Sequence, residues 1–222
     1  CIAPDHIYVH EKVKDAFVQE CKHILDSTYG KDSNKFDSPH LARVSNGRHV
    51  ARLKHLLDDA LHRGANVISG GDVRISERYI APTLLDNIAD DAQIMQEEIF
   101  GPLLPIISFN NLDSVIERIN AAPKPLALYV WSRTQANINK VMQQTTSGGA
   151  CINHSVVQFL HGNLPFGGVN NSGIGSAHGH HGFLAFSHAR AVVRNRIMLA
   201  TMFFPPYSER TRKLIALFMK MV

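Results

Sequence analysis

The chain has 222 residues, 45% hydrophobic and 19% charged, with a formal net charge of +4. That balance suits a globular protein with a sizeable core and excludes global disorder. The positive charge is spread along the chain, its densest group being Arg190, Arg194 and Arg196 followed by Arg210, Arg212 and Lys213, so a nucleic-acid-binding face is not expected.

Residues 7–10 read as a strand. Val13, Phe17, Cys21, Ile24 and Leu25 then recur at helical spacing, and this helix is expected to end at Tyr29-Gly30, where glycine can take the left-handed C-terminal position. A polar loop over 31–40 precedes a second helix with Val50, Leu53, Leu56, Leu57, Ala60 and Leu61 on one face, stopped by Gly64. "NVISGG" is a short strand and turn. "RYIAPTLLDNI" is extended, and Pro82 argues against a central strand there. "LLPIISF" reads as a buried strand, "LDSVIERINAA" as a helix N-capped by Asp113 or Ser114, "PLALYVWS" as a strand, "TQANINKVMQQTT" as a helix and "ACINH" as a strand. This alternation predicts an α/β fold with a largely parallel, twisted sheet flanked by helices. "LPFGGVNNSGIGSAHGHHG" is expected to be a long turn-rich loop. "ARAVVRNRIM" reads as an edge strand, and a short amphipathic helix follows the Pro205-Pro206 break. Residues 1–188 are expected to form one domain, with 189–222 an oligomerisation strand and tail.

Three cysteines, at 1, 21 and 151, with no CxxC spacing, point to free thiols in a reducing, cytoplasmic setting. Residues 1–10 do not resemble a signal peptide, and the apolar runs are too short to span a bilayer. Cys21 and Cys151 lie within periodic apolar segments and read as small buried hydrophobes. Cys1 lies on no such face and is the candidate nucleophile. In "MQEEIFGPLLPI", Glu98 and Phe100 stand just before a Gly-Pro break; a carboxylate can bond ribose hydroxyls and an aromatic ring can pack on a flat heterocycle. The bland alternative is a solvated Glu98 and a core Phe100. The glycines of "LPFGGVNNSGIG" match neither the dinucleotide fingerprint nor the P-loop. They let the backbone pass close to something, with Phe166 projecting there. His178, His180, His181 and His188 match no zinc spacing and read as polar loop residues, so no metal is expected.

Together, "CIAPD", "MQEEIFGPLLPI", "KPLALYVWS", "TTSGGACIN" and "LPFGGVNNSGIGSAHG" resemble the aldehyde dehydrogenase superfamily, in particular its class 3-type branch of fatty, aromatic and coniferyl aldehyde dehydrogenases. The resemblance runs in order from Cys1 to about Arg194. It implies the catalytic-domain portion of that fold, with the front cofactor-binding half, the general-base glutamate and the oxyanion asparagine lying outside this sequence. It implies NAD(P)-dependent oxidation of an aldehyde to a carboxylic acid through a thiohemiacetal and thioester on Cys1. Glu98 and Phe100 would hold the nicotinamide riboside of NAD or NADP, and Phe166 would line the aldehyde tunnel. It also implies a homodimer paired through "ARAVVRN". His154 stands where relatives often carry an acidic residue, and Asn170 where glycine is common. Two alternatives remain: an N-terminal-nucleophile amidohydrolase acting through Cys1, which accounts for neither EEIFGP nor PFGG, and a non-catalytic dimerising fragment.

Overall fold

The computed structural model describes residues 1–31, 34–196 and 204–220. The chain divides into two units, Cys1–Phe186 and Ser187–Val222.

In the first unit, strand β1 (Ile7–His10) leads straight into helix α1 (Glu11–Tyr29). The His10 ring accepts the Lys12 N–H at 3.2 Å and so caps the helix start, and Gly30, at φ 90°, ends it. Phe17, Val18, Cys21 and Leu25 of α1 pack with Val9, Leu84 and Ile106. Val13 and Ile24, expected on that face, point to solvent instead, because the buried stripe runs along 17, 18, 21 and 25. Helix α2 (Gly47–His62) begins where the Asn46 side chain accepts the His49 N–H at 3.0 Å. Its Val50, Leu53, Leu56, Leu57 and Ala60 are buried with Leu85, Ile94, Ile99 and Leu103. Each buried valine, leucine or isoleucine among them contributes about 1.5–3 kcal/mol on leaving water.

Strands β2 (Asn66–Ser69), β3 (Val73–Arg74), β4 (Tyr79–Ile80), β5 (Thr83–Asp86) and β6 (Leu103–Phe109) follow. The main sheet has the order β1-β6-β5-β2. β6 runs parallel to β1 and β5, while β2 is antiparallel to β5 at one edge, so the sheet is mixed. The β3–β4 hairpin is separate.

Pro82 does not keep its segment out of the middle of the sheet, as the sequence suggested. β5 is an interior strand, and it starts one residue after the proline. The first ladder bond is Thr83 N–H to Pro102 O at 2.8 Å, so the missing donor falls outside the ladder. Gly70 makes room for this entry: at φ +85° a Cβ there would lie 2.3 Å from Pro82 O.

Helix α3 (Leu112–Ala121) is capped by Asn111, whose side chain accepts the Asp113 N–H at 2.9 Å. The expected caps, Asp113 and Ser114, lie inside the first turn. Strand β7 (Ala127–Val130), helix α4 (Gln135–Gln144) and strand β8 (Gly149–Ile152) complete the alternation, with β7 parallel to β8. Ile116, Val130, Ile138 and Val141 form their core.

A turn at Val157–Leu160 precedes the expected loop over 164–182, which is itself partly ordered into a turn at Asn170–Ser172 and the start of a short, unexpected helix α5 (Gly179–Ala185). His180 and His181 therefore lie on a helix.

In the second unit, residues 189–196 carry no strand, in place of the expected edge strand, whose last residues, 197 and 198, lie outside the described residues. A strand is defined by its ladder partner, which the alternating pattern of a single segment cannot supply. Helix α6 (Glu209–Phe218) is capped by Ser208, which accepts the Thr211 N–H at 3.2 Å. Among the described residues no helix is long and apolar enough to cross a membrane.

Candidate active site

The segment 97–101 is built as a strained turn with one buried anchor. Ile99 is 1% exposed and sits in the core beneath α2, whereas Phe100 is 66% exposed. The aromatic of this pair is thus the outward residue and the aliphatic the core residue. Glu98 is exposed as well. Phe100 has φ +47°, a left-handed conformation costing a bulky residue of order 1–3 kcal/mol.

Three contacts hold the turn. The Asp5 carboxylate accepts the Ile99 N–H at 2.9 Å. The Arg52 guanidinium, from α2, donates to Glu98 O at 3.2 Å and also to Ile99 O. Gly101 lies so close to Leu53 that a Cβ there would meet both Leu53 methyls at 2.5 Å. Glu98 and Phe100 are thereby presented outward from a fixed backbone.

Asp5 links this turn to Cys1, whose thiol is free and exposed. Burial pushes the Asp5 carboxyl above its ordinary value. The Ile99 bond and the nearby His6 work against that rise, and Glu98 adds to it. Glu98 is therefore within electrostatic reach of the carboxylate that closes the Cys1 segment. Burial also pushes the Cys21 thiol up, away from the thiolate a nucleophile needs. Cys151 is buried and bonds Gln158.

Phe166 joins the Cys1 segment through intermediates. Its backbone exchanges two hydrogen bonds with Ala177, N–H to O at 3.1 Å and O from N–H at 2.7 Å. Its ring meets Phe159 edge-on at 5.0 Å and stacks on His178 at 5.5 Å. Phe159 neighbours Gln158, whose amide reaches the Tyr129 hydroxyl at 3.2 Å, and Tyr129 in turn reaches Ile2 O at 2.6 Å. The turn carrying Gln158 and Phe159 is entered through Val156 at φ +72°, a strained state for a β-branched residue.

The glycines around Phe166 serve backbone-to-backbone packing. A Cβ on Gly167 would fall 2.1 Å from Gly175 O, and one on Gly148 would fall 2.3 Å from Gly167 O. What the loop passes close to is its own chain. His178 is not a free loop residue: it packs on Phe159 and Phe166 with its Nδ1 buried. His154 lies beside Trp131 at 6.5 Å between ring centres. Among the described residues no three His, Cys, Asp or Glu side chains converge as a metal site.

Asp5, Arg52, Tyr129, Gln158 and His178 were not singled out in the sequence as site residues. Each acts across a long chain separation, and no local spacing marks it.

The outward Glu98 carboxylate is an acceptor suited to hydroxyl pairs, and the outward Phe100 ring offers an apolar face. Both fit the riboside end of a nicotinamide nucleotide.

A model of the "Aldehyde dehydrogenase family" matches residues 1–192. The chain is 46% identical over 192 residues to the "Putative aldehyde dehydrogenase AldX" of Bacillus subtilis, covering 86% of this chain and 43% of that protein. It is 38% identical over 219 residues to the "Probable coniferyl aldehyde dehydrogenase" of Pseudomonas aeruginosa, covering 97% of this chain and 44% of that protein. The structure superposes on the substrate-bound Staphylococcus aureus AldH with a TM-score of 0.79 at 38% identity, covering 98% of this chain and 46% of that one. The chain spans less than half the length of these relatives.

Proposed function

The chain belongs to the aldehyde dehydrogenase family, and from that premise we propose that it carries the nucleophile and part of the nicotinamide site of an enzyme oxidising aldehydes to carboxylic acids. The observation that carries this reading is the Asp5–Ile99 bond, which ties the Cys1 segment to the strained turn bearing Glu98 and Phe100.

The Cys1 thiolate attacks the carbonyl carbon. A sulfur–carbon bond forms and the carbonyl π pair becomes an oxyanion, giving a thiohemiacetal. NAD or NADP, when bound, supplies the acceptor for the hydride that leaves this carbon. Collapse of the oxyanion leaves a thioester on Cys1. Water then adds to the acyl carbon and releases a proton to solvent, the carbon–sulfur bond breaks, and the acid departs as the thiolate is restored. Glu98 would accept hydrogen bonds from the ribose hydroxyls, and Phe100 would pack against the nicotinamide. Phe166, packed against Phe159 and His178, would supply an apolar wall for the aldehyde chain.

The substrate class is long aliphatic or aromatic aldehydes. This is supported by the apolar wall and by relatives such as the probable coniferyl aldehyde dehydrogenase. A homodimer formed through residues 189–195 is the expected assembly, since that segment exposes Val192 and Val193. Three free thiols suit the cytoplasm.

In the full-length enzyme, Cys1→Ala should abolish aldehyde-dependent NAD(P)H formation while NAD(P) binding stays measurable by calorimetry. Undiminished turnover in that variant would remove the reading.

A further inference from the structure

Three side chains that this chemistry leaves unused form a continuous hydrogen-bonded line ending one residue beyond the nucleophile. The Tyr129 hydroxyl, on β7, donates to Ile2 O at 2.6 Å. Gln158 Nε2 donates to the Tyr129 oxygen at 3.2 Å, and Gln158 Oε1 accepts the Cys151 thiol at 2.8 Å. We infer that Tyr129 is a positioning residue for Cys1, itself oriented by Gln158 and Cys151. The inference rests on the reading of Cys1 as nucleophile.

The donor directions are fixed by chemistry. A carbonyl oxygen only accepts, so the Tyr129 O–H must point at Ile2. The lone pairs of that oxygen then face the Gln158 NH2, which turns the amide oxygen toward the Cys151 thiol. One orientation of the amide satisfies every member. All three bonds are partly buried, which limits replacement by water.

The mechanical consequence concerns the backbone that directly follows the sulfur-bearing residue. Residues 1–5 are pinned at two points, Ile2 O to Tyr129 and Asp5 Oδ1 to Ile99 N–H. Between the pins, Pro4 has a fixed φ and restricts Ala3 before it. The Ile2 pin holds the peptide group one removed from the nucleophile and so narrows the backbone positions that Cys1 can take. That is the preorganisation that brings a thiolate to within attacking distance of a carbonyl. Without the Tyr129 pin, Ile2 can turn and the sulfur spends less time in the attacking geometry, while the nicotinamide turn, held separately by Arg52 and Asp5, keeps its shape.

The test uses the full-length enzyme and the variants Tyr129→Phe, Cys151→Ala, Cys151→Ser and Cys1→Ala. Steady-state rates are measured with saturating aldehyde and varied NAD(P). Alkylation of Cys1 by iodoacetamide is followed by peptide mass, and melting temperature is recorded. Tyr129→Phe should lower kcat about five- to tenfold, the worth of one partly buried hydrogen bond. The KM for NAD(P) should not change. Alkylation should stay within about twofold, because a small electrophile does not demand the same orientation. Cys151→Ala should lower kcat by about two- to threefold, and Cys151→Ser, which keeps a donor for Gln158, should restore it.

A Tyr129→Phe enzyme with the parent kcat, or one whose kcat, KM and alkylation all shift together, overturns the inference. If Tyr129→Phe proves unfolded, the cysteine pair decides: loss in Ala with recovery in Ser supports the line, and no difference between them overturns it. Retained turnover in Cys1→Ala overturns the nucleophile reading and this inference with it. An inactive Cys1→Ala beside an unimpaired Tyr129→Phe overturns the positioning role alone.

Discussion

Replacing Arg52 with Met should loosen the Glu98–Phe100 turn without touching either residue. The methionine keeps most of the apolar stem and removes the guanidinium fork. That fork donates to two main-chain carbonyls, Glu98 O and Ile99 O. A hydrogen bond from a charged donor contributes about 1.5–3 kcal/mol. The Arg52 side chain is 31% exposed, so water replaces part of what is lost, and the two bonds together should be worth about 2–3 kcal/mol. The Glu97 carboxylate, 3.6 Å from the guanidinium, adds little at the surface. In a cooperative unit of about 200 residues the loss corresponds to a melting temperature lower by about 4–10 °C, and by less in the longer full-length enzyme. Because the turn must also hold Phe100 in its left-handed state, the KM for NAD(P) should rise in the same variant. Arg52→Lys should recover less than half of the stability, since one ammonium cannot serve both carbonyls in the fork geometry. Thermal unfolding and cofactor titration of the full-length enzyme measure both effects. Stability within about 0.5 kcal/mol of the parent, with an unaltered KM, would refute the clamp.

Gly101→Ala drives a methyl into the fully buried Leu53; it should cost about 1–3 kcal/mol in urea unfolding and raise the KM for NAD(P). Glu98→Gln should slow hydride transfer in single-turnover experiments while aldehyde binding persists; an unaffected rate would count against the ribose role. Asp59 tests the acid side of stability. The Gln93 N–H at 2.8 Å and Arg63 at 3.0 Å hold its carboxyl below its ordinary value near 3.8. A depressed folded value means its stabilising effect is present above the ordinary value and is lost as pH falls through the depressed one. The parent should therefore lose stability more steeply than Asp59→Asn below about pH 4, and parallel acid melts would expose an error in that sign.

Several features were legible from sequence because they are written within a few residues of each other. The apolar stripe Val50–Leu53–Leu57 specifies α2 by its period, Gly30 and Gly64 mark where helices stop, and the order of EEIFGP and PFGG carries the family. Other features were decided by partners far along the chain. The interior place of β5 follows from β6 and β2 pairing on its two sides, a choice that the proline one residue upstream disguised. The edge strand suggested by the alternation of "ARAVVRN" needs a ladder partner that its own sequence cannot name. The same holds around the candidate site. Which of Ile99 and Phe100 is buried depends on Leu53 and Arg52, some 46 residues earlier. What pins the Cys1 arm lies 94 residues away at Ile99 and 127 residues away at Tyr129. Periodicity and capping are local free energies that any short window contains. A single hydrogen bond between distant segments exists only after the sheet has brought them together, so the sequence by itself determined the parts and their chemistry, and the tertiary structure decided which of them meet.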